Sequence, residues 1–253
     1  MQLKKVLIFI FPFIILFQGS SQDIESLNAK GNQLYSDGNY EEAINTWEEL
    51  TESGYEAALI YYNLGNAYFK SNKIAPAILN YEKAKILAPH DKDINYNLEL
   101  ARTYVVDKID ELPEVFYLRW YRNIVRMFSS NIWAIITIIA FVIFLVLFSI
   151  YLYAKSYSSK KTAFWFGALF MLIWICAFAF SWSGNKLVTD HNKAIVFSPS
   201  VTVLSSPDRS GTELFVIHEG TKVTVIDELN EWTEIILSSG TKGWLLSSSI
   251  EKI

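Results

Sequence analysis

The chain has a single cysteine, Cys176, so no intrachain disulfide can form. It has three histidines, His90, His191 and His218, none with a Cys, Asp or Glu at a spacing that repeats. A zinc centre requires such spacing, so no metal ligand set is read. There is no Gly-rich phosphate loop, no Gly-x-Ser-x-Gly and no Cys–His pair, which removes the familiar routes to phosphoryl transfer and nucleophilic hydrolysis. No enzymatic activity and no cofactor are expected. Basic charge is also scarce outside one stretch. Residues 22–118 carry 8 Lys/Arg against 17 Asp/Glu, and residues 183–253 carry 6 against 9. Neither part could neutralise phosphate, so nucleic acid is excluded as a partner. Residues 119–161 reverse the balance, with 6 Lys/Arg and no acid.

Two acidic parts therefore flank a basic, apolar middle. Residues 1–21 combine Lys4 and Lys5, an apolar run from Val6 to Phe17, and the small residues Gly19 and Ser21. That is the pattern of a secretory signal, with the cut placed between Ser21 and Gln22; an uncleaved anchor is the alternative. Ile132–Tyr153 and Ala163–Trp182 are apolar runs without a charge, each long enough to cross a roughly 30 Å hydrocarbon core. Trp133, Tyr151, Tyr153, Trp165 and Trp182 sit near their ends, as an aromatic belt would. A loop of 154–162 leaves room only for a helical hairpin, so 22–110 and 183–253 must lie on the same side of the membrane. Lys155, Lys160 and Lys161 favour a cytoplasmic loop, whereas Arg119, Arg122 and Arg126 argue the other way. The export signal decides, and both soluble parts are expected in the periplasm. Neither span carries an Asp, Glu, Lys, Arg or His, which argues against a transporter. Cys176 lies in the second run and reads as a packing residue. Segment 111–131, broken at Pro113 and rich in Trp120, Tyr121 and arginine, reads as an interfacial helix or a linker.

Residues 22–110 repeat at an offset of 34. Lys30-Gly31-Asn32-Gln33-Leu34-Tyr35 falls on Leu64-Gly65-Asn66-Ala67-Tyr68-Phe69, Ala43 on Ala77, Trp47 on Tyr81 and Leu50 on Ala84. This resembles the tetratricopeptide repeat, an antiparallel helix pair of that period. Lys30 and Tyr55 depart from its usual Leu and Pro. Gly31, Gly65, Ala43 and Ala77 would let paired helices approach, and Trp47, Tyr68 and Tyr81 would fill the space between repeats. A third helix over 91–110 is expected to cap a marginal array. The resemblance places Asn28, Asn32, Tyr35, Tyr62, Asn66, Phe69 and Tyr96 in a partner-binding groove. Asn32 and Asn66 would either pair with a peptide backbone or merely finish helix packing.

Residues 183–253 change to period two, at Val201-Thr202-Val203, Val223-Thr224-Val225 and Trp232-Thr233-Glu234-Ile235-Ile236, with Gly220, Asn230 and Gly240 at turns. His218 reads as an exposed strand residue, and His90 as part of a turn. Together with Gly243-Trp244-Leu245 these residues resemble the bacterial SH3-like domain, a small barrel. Trp232 and Trp244 read as core residues, or as its ligand face. The expected fold class is thus multidomain α + β: helical repeats, a two-helix hairpin and a C-terminal barrel. That order resembles the BatE-type proteins of aerotolerance operons, as do Val106-Asp107-Lys108-Ile109 and Leu214-Phe215-Val216-Ile217-His218-Glu219-Gly220. The resemblance implies a non-catalytic inner-membrane scaffold whose partners are membrane proteins bearing von Willebrand A domains. The alternative is a sensor or anchor that binds peptidoglycan through the barrel.

Overall fold

A computed structural model describes residues 24–109, 115–189 and 192–253. The signal read over 1–21, the break at Pro113 and His191 lie outside the described residues. The described residues form two compact units. One joins the helical repeats to the C-terminal sheet, and the other holds the segment between them in sequence.

The first unit opens with α1 (24–36) and α2 (Tyr40–Glu52), then α3 (Ala58–Lys70) and α4 (Ile74–Leu87), then α5 (Lys92–Arg102). The offset of 34 is carried into the backbone. Asp37, Gly38, Asn39 and Ala43 donate amide hydrogens to Gln33, Tyr35, Leu34 and Asn39; Ser71, Asn72, Lys73 and Ala77 repeat the same four bonds with Ala67, Phe69, Tyr68 and Lys73. Gly38 and Asn72 occupy equivalent left-handed positions, φ +82° and +59°, a conformation that Gly and Asn tolerate best. Asp91 caps α5 by accepting from the amides of Asp93 and Ile94. That helix is eleven residues long and ends well short of residue 110.

Glycine decides how closely each helix pair packs. A Cβ at Gly31 would stand 2.5 Å from Trp47 Nε1, and one at Gly65 2.6 Å from the Tyr81 ring. Trp47 and Tyr81 therefore fill the space within their own repeats rather than between repeats, because each glycine leaves room for a ring on the facing helix. Tyr68 does link neighbours: its hydroxyl donates to Glu48 of the preceding repeat.

The sheet contains β1 (Lys193–Val196), β2 (Ser200–Leu204), β3 (Glu213–His218), β4 (Lys222–Leu229), β5 (Trp232–Ile236), β6 (Lys242–Leu246) and β7 (Ile250–Lys252). Its order is β3-β2-β6-β5-β4-β1-β7, with antiparallel neighbours. Gly220, Asn230 and Gly240 take positive φ at turns, as their types anticipate. One face buries Val203, Ile217, Val223, Ile235 and Leu245.

In the second unit, α6 (Phe116–Arg126) precedes α7 (Ser130–Tyr153) and α8 (Tyr157–Thr189). The last two are long and apolar enough to cross a membrane, and most of their side chains are exposed rather than buried as a core helix would be. They pack along one another: Ala140, Ala163 and Ala177 are buried, small residues that let apolar helices approach, and the Trp133 ring lies 5.0 Å from that of Phe180. Helix α8 begins at Tyr157, so the non-helical connection is shorter than the 154–162 loop read from sequence. Lys160 and Lys161 lie in its first turns, their long stems compatible with a helix. Helix α6 places Arg119, Arg122 and Arg126 along one side and Phe116, Trp120 and Ile124 along another. It is tied to α8 by Tyr121, whose hydroxyl lies 2.6 Å from that of Ser183.

Gly65→Ala should destabilise the repeats by about 1–3 kcal/mol, the usual cost of overpacking. Gly38→Asn should change stability by less than about 0.5 kcal/mol, since nothing crowds that position and Asn72 already occupies its equivalent. Urea titration of the full chain in detergent, read by hydrogen exchange in α3 and α4, checks both.

Candidate functional site

The first helices of successive repeats are joined by a ladder of amides. Asn63 Nδ2 donates to Asn32 Oδ1 at 3.2 Å, and Asn97 Nδ2 donates to Asn66 Oδ1 at 2.8 Å. The second rung is the first displaced by 34 residues at both ends. Asn66 Oδ1 also accepts from the Tyr81 hydroxyl at 2.7 Å, and Asn97 Nδ2 reaches the Tyr62 hydroxyl at 3.1 Å. Asn28 Oδ1 accepts from Trp47 Nε1 at 3.1 Å. Burial raises the pKa of Tyr81, and the Tyr62 and Tyr35 hydroxyls add to the shift, so its phenol stays protonated and donates.

The residues read as groove positions thus have different local roles. Asn28, Asn32 and Asn66 each give a carboxamide oxygen to the array. Tyr35 packs on Tyr40 and Trp47, with ring centroids 5.3 and 6.2 Å away. Tyr62 lies 6.1 Å from Tyr81, and Phe69 meets Tyr104 edge-on at 5.3 Å. Tyr96 stands out at 69% exposure, with Leu100 and Tyr104 exposed nearby in sequence. Asn63, Asn97 and Tyr104 went unnoticed in the sequence reading. Extending the offset of 34 from Asn63 to Asn97 would have found the first two.

A second cluster joins the repeats to the barrel. Glu82 of α4, its side chain 5% exposed, accepts from Arg102 Nη2 and Lys222 Nζ, both at 2.6 Å. Burial would raise its pKa, but the charges of Lys222 and Arg102 and their hydrogen bonds override that and hold it below the ordinary range. Glu82 is therefore ionised at neutral pH. On Lys222 the balance goes the other way: burial lowers its pKa by more than Glu82 raises it. Asp107 Oδ2 accepts from the His218 amide and the Thr221 hydroxyl, each at 2.6 Å, and Oδ1 lies 2.8 Å from His218 Nδ1. Burial opposes ionisation of Asp107 too, but the bonds from Thr221 and His218 outweigh it and its pKa is lowered. His218 is thus not the exposed strand residue expected from sequence. Asp107, 111 residues earlier, takes up both its backbone and its ring.

On the barrel, Trp232 is 8% exposed. Trp244 is half-buried on the face opposite Leu245, with Leu204 and Glu234 across from it. Leu214 and Val216 of β3 are exposed. Among the described residues no group of three or more His, Cys, Asp or Glu could hold a metal ion.

Both carboxylates have lowered pKa values, so their stabilisation is complete above the ordinary values of 4.5 and 3.8 and is lost as pH falls below them. Acidification from pH 6 to 3 should therefore lower the melting temperature of the wild-type chain more than that of Asp107→Asn. Trp232→Ala should cost about 3–5 kcal/mol and Trp244→Ala less than about 2 kcal/mol, measured by denaturant titration of barrel fluorescence.

Comparison with known families agrees with this geometry. Residues 31–72 match the TPR repeat, residues 58–91 the tetratricopeptide repeat and residues 199–251 the bacterial SH3 domain. Sperm-associated antigen 1 of Rattus norvegicus is 33% identical over 78 residues, which cover 31% of this chain. The match takes in only 9% of that protein's length. The chain therefore carries tetratricopeptide repeats and a bacterial SH3 domain, modules whose common use is protein–protein interaction.

Proposed function

We propose that this chain is a non-catalytic scaffold of the inner membrane, of the BatE type, whose repeats dock a protein partner. The observation that carries the reading is the aromatic surface on the first helices of the repeats, where Tyr96 lies exposed beside a hydrogen-bonded asparagine ladder. The ladder holds the helices in register and leaves the rings as anchors, and exposed tyrosines rank among the side chains that dominate interfaces. Helices α7 and α8 are read as a membrane hairpin, α6 as its interfacial helix, and residues 22–110 and 183–253 as the periplasmic parts. That orientation rests on reading 1–21 as an export signal. The resemblance to BatE-type proteins points to membrane partners with von Willebrand A domains.

The test is co-purification from membranes. Tyr96→Ala should weaken partner binding about thirtyfold, corresponding to about 2 kcal/mol, without changing the melting temperature. Undiminished recovery of every membrane protein would remove the groove from the reading. Exposed Leu214 and Val216 on β3, with half-buried Trp244 on β6 of the same sheet, favour a second reading, binding of peptidoglycan by the barrel. Retention of the wild-type chain on intact sacculi, lost in Trp244→Ala, would support it. For topology, a cysteine at Ser210 should react in intact cells with an impermeant thiol reagent, and one at Ser158 should not.

A further inference from the structure

Two repeats cannot finish their own fold. Each stacks on the next because a helix pair alone leaves one apolar face in water, and about three units are normally needed. Here α5 is only a half-unit, and beyond it Ile78, Leu98, Ala101 and Val105 would form an uncovered end. They are instead buried in one cluster with Ile195 and Ile253 of the barrel, with Phe197 packed against its edge. Strand β1 is built for this. Ala194 and Val196 turn into the barrel core while Ile195, between them, is fully buried in the repeat cluster. The approach is close: a Cβ on Gly220 would stand 2.9 Å from Val105 and 3.2 Å from Ile78. The charged contacts surround the same seam. Arg102 of α5 and Lys222 of β4 share the buried Glu82 carboxylate, and Asp107 closes on the amide of His218 and the hydroxyl of Thr221.

We infer that the open end of the repeat array is an interaction surface whose partner is this chain's own barrel, which stands where a third repeat would stack and holds α5 in place. The inference rests on the fold and not on the partner proposed above. Its consequence for the groove is direct, because α5 supplies Asn97 to Asn66 and Tyr62. A barrel shifted from its seat would loosen one wall of the repeat surface.

The test is hydrogen exchange of the full chain in detergent micelles. Ile195→Ser removes the apolar contact. Lys222→Glu sets a second carboxylate against Glu82 without touching the barrel core. In both, amides of α5 should exchange at least about tenfold faster than in the wild type, while β5 and β6 keep their protection. Unchanged exchange in α5 in both variants would overturn the inference, because the array would then be stable without its cap. If Ile195→Ser unfolds the barrel itself, seen as lost protection in β5 and β6, the decision passes to Lys222→Glu with the same two outcomes. Neither result depends on finding a partner, so failure here is distinct from failure of the scaffold reading.

Discussion

A short repeat array has one controlling constraint, the apolar end that stacking leaves uncovered. In this chain the constraint is met by Ile195 and Ile253 seated on Ile78, Leu98 and Ala101. Fully burying an isoleucine stabilises by about 1.5–3 kcal/mol, a large share of the marginal stability of a small domain. The charged groups at the seam act differently. Removing three ions from water costs much of what their attraction returns, so Glu82, Arg102 and Lys222 are better read as setting geometry than as adding stability. Losing one cation is costly all the same, since a buried carboxylate would be left with half its partners.

The same logic explains the asparagine ladder. Half-buried amides such as those of Asn63, Asn66 and Asn97 gain from a partner, and a repeat supplies partners at a fixed spacing. Asn32 with Asn63 and Asn66 with Asn97 are one solution used twice. Because the oxygens of Asn32 and Asn66 are committed to the array, side-chain area at the groove comes from rings, of which Tyr96 is the most exposed.

Much of this was readable from residue order. The offset of 34 anticipated the two helix pairs, and Gly31 and Gly65 marked the close approaches. The turn residues Gly220, Asn230 and Gly240 marked the edges of strands, and the modules followed. What the sequence concealed was anything joining residues more than a hundred positions apart. Asp107 fell within the helix expected over 91–110, and His218 looked like a solvated strand position, because neither carries a mark of the other. A faint sign of the seam did exist. Ala194-Ile195-Val196-Phe197 is continuously apolar, as a strand buried on both faces must be, whereas the neighbouring Val201-Thr202-Val203 alternates. The groove was harder, since exposure of Tyr96 and enclosure of Tyr62 arise from equivalent positions, separated only by which helix follows each.

The span of the seam bears on how the protein is made. Glu82 and Lys222 are 140 residues apart, and a ribosome adding about 5–20 residues per second needs roughly 7–28 seconds to pass from one to the other. During that interval the repeats exist with their end face bare, while two strongly apolar helices emerge. Nascent chains of this design therefore pass through an aggregation-sensitive stage, in which a holdase that shields Ile78, Leu98 and Ala101 would have its greatest effect.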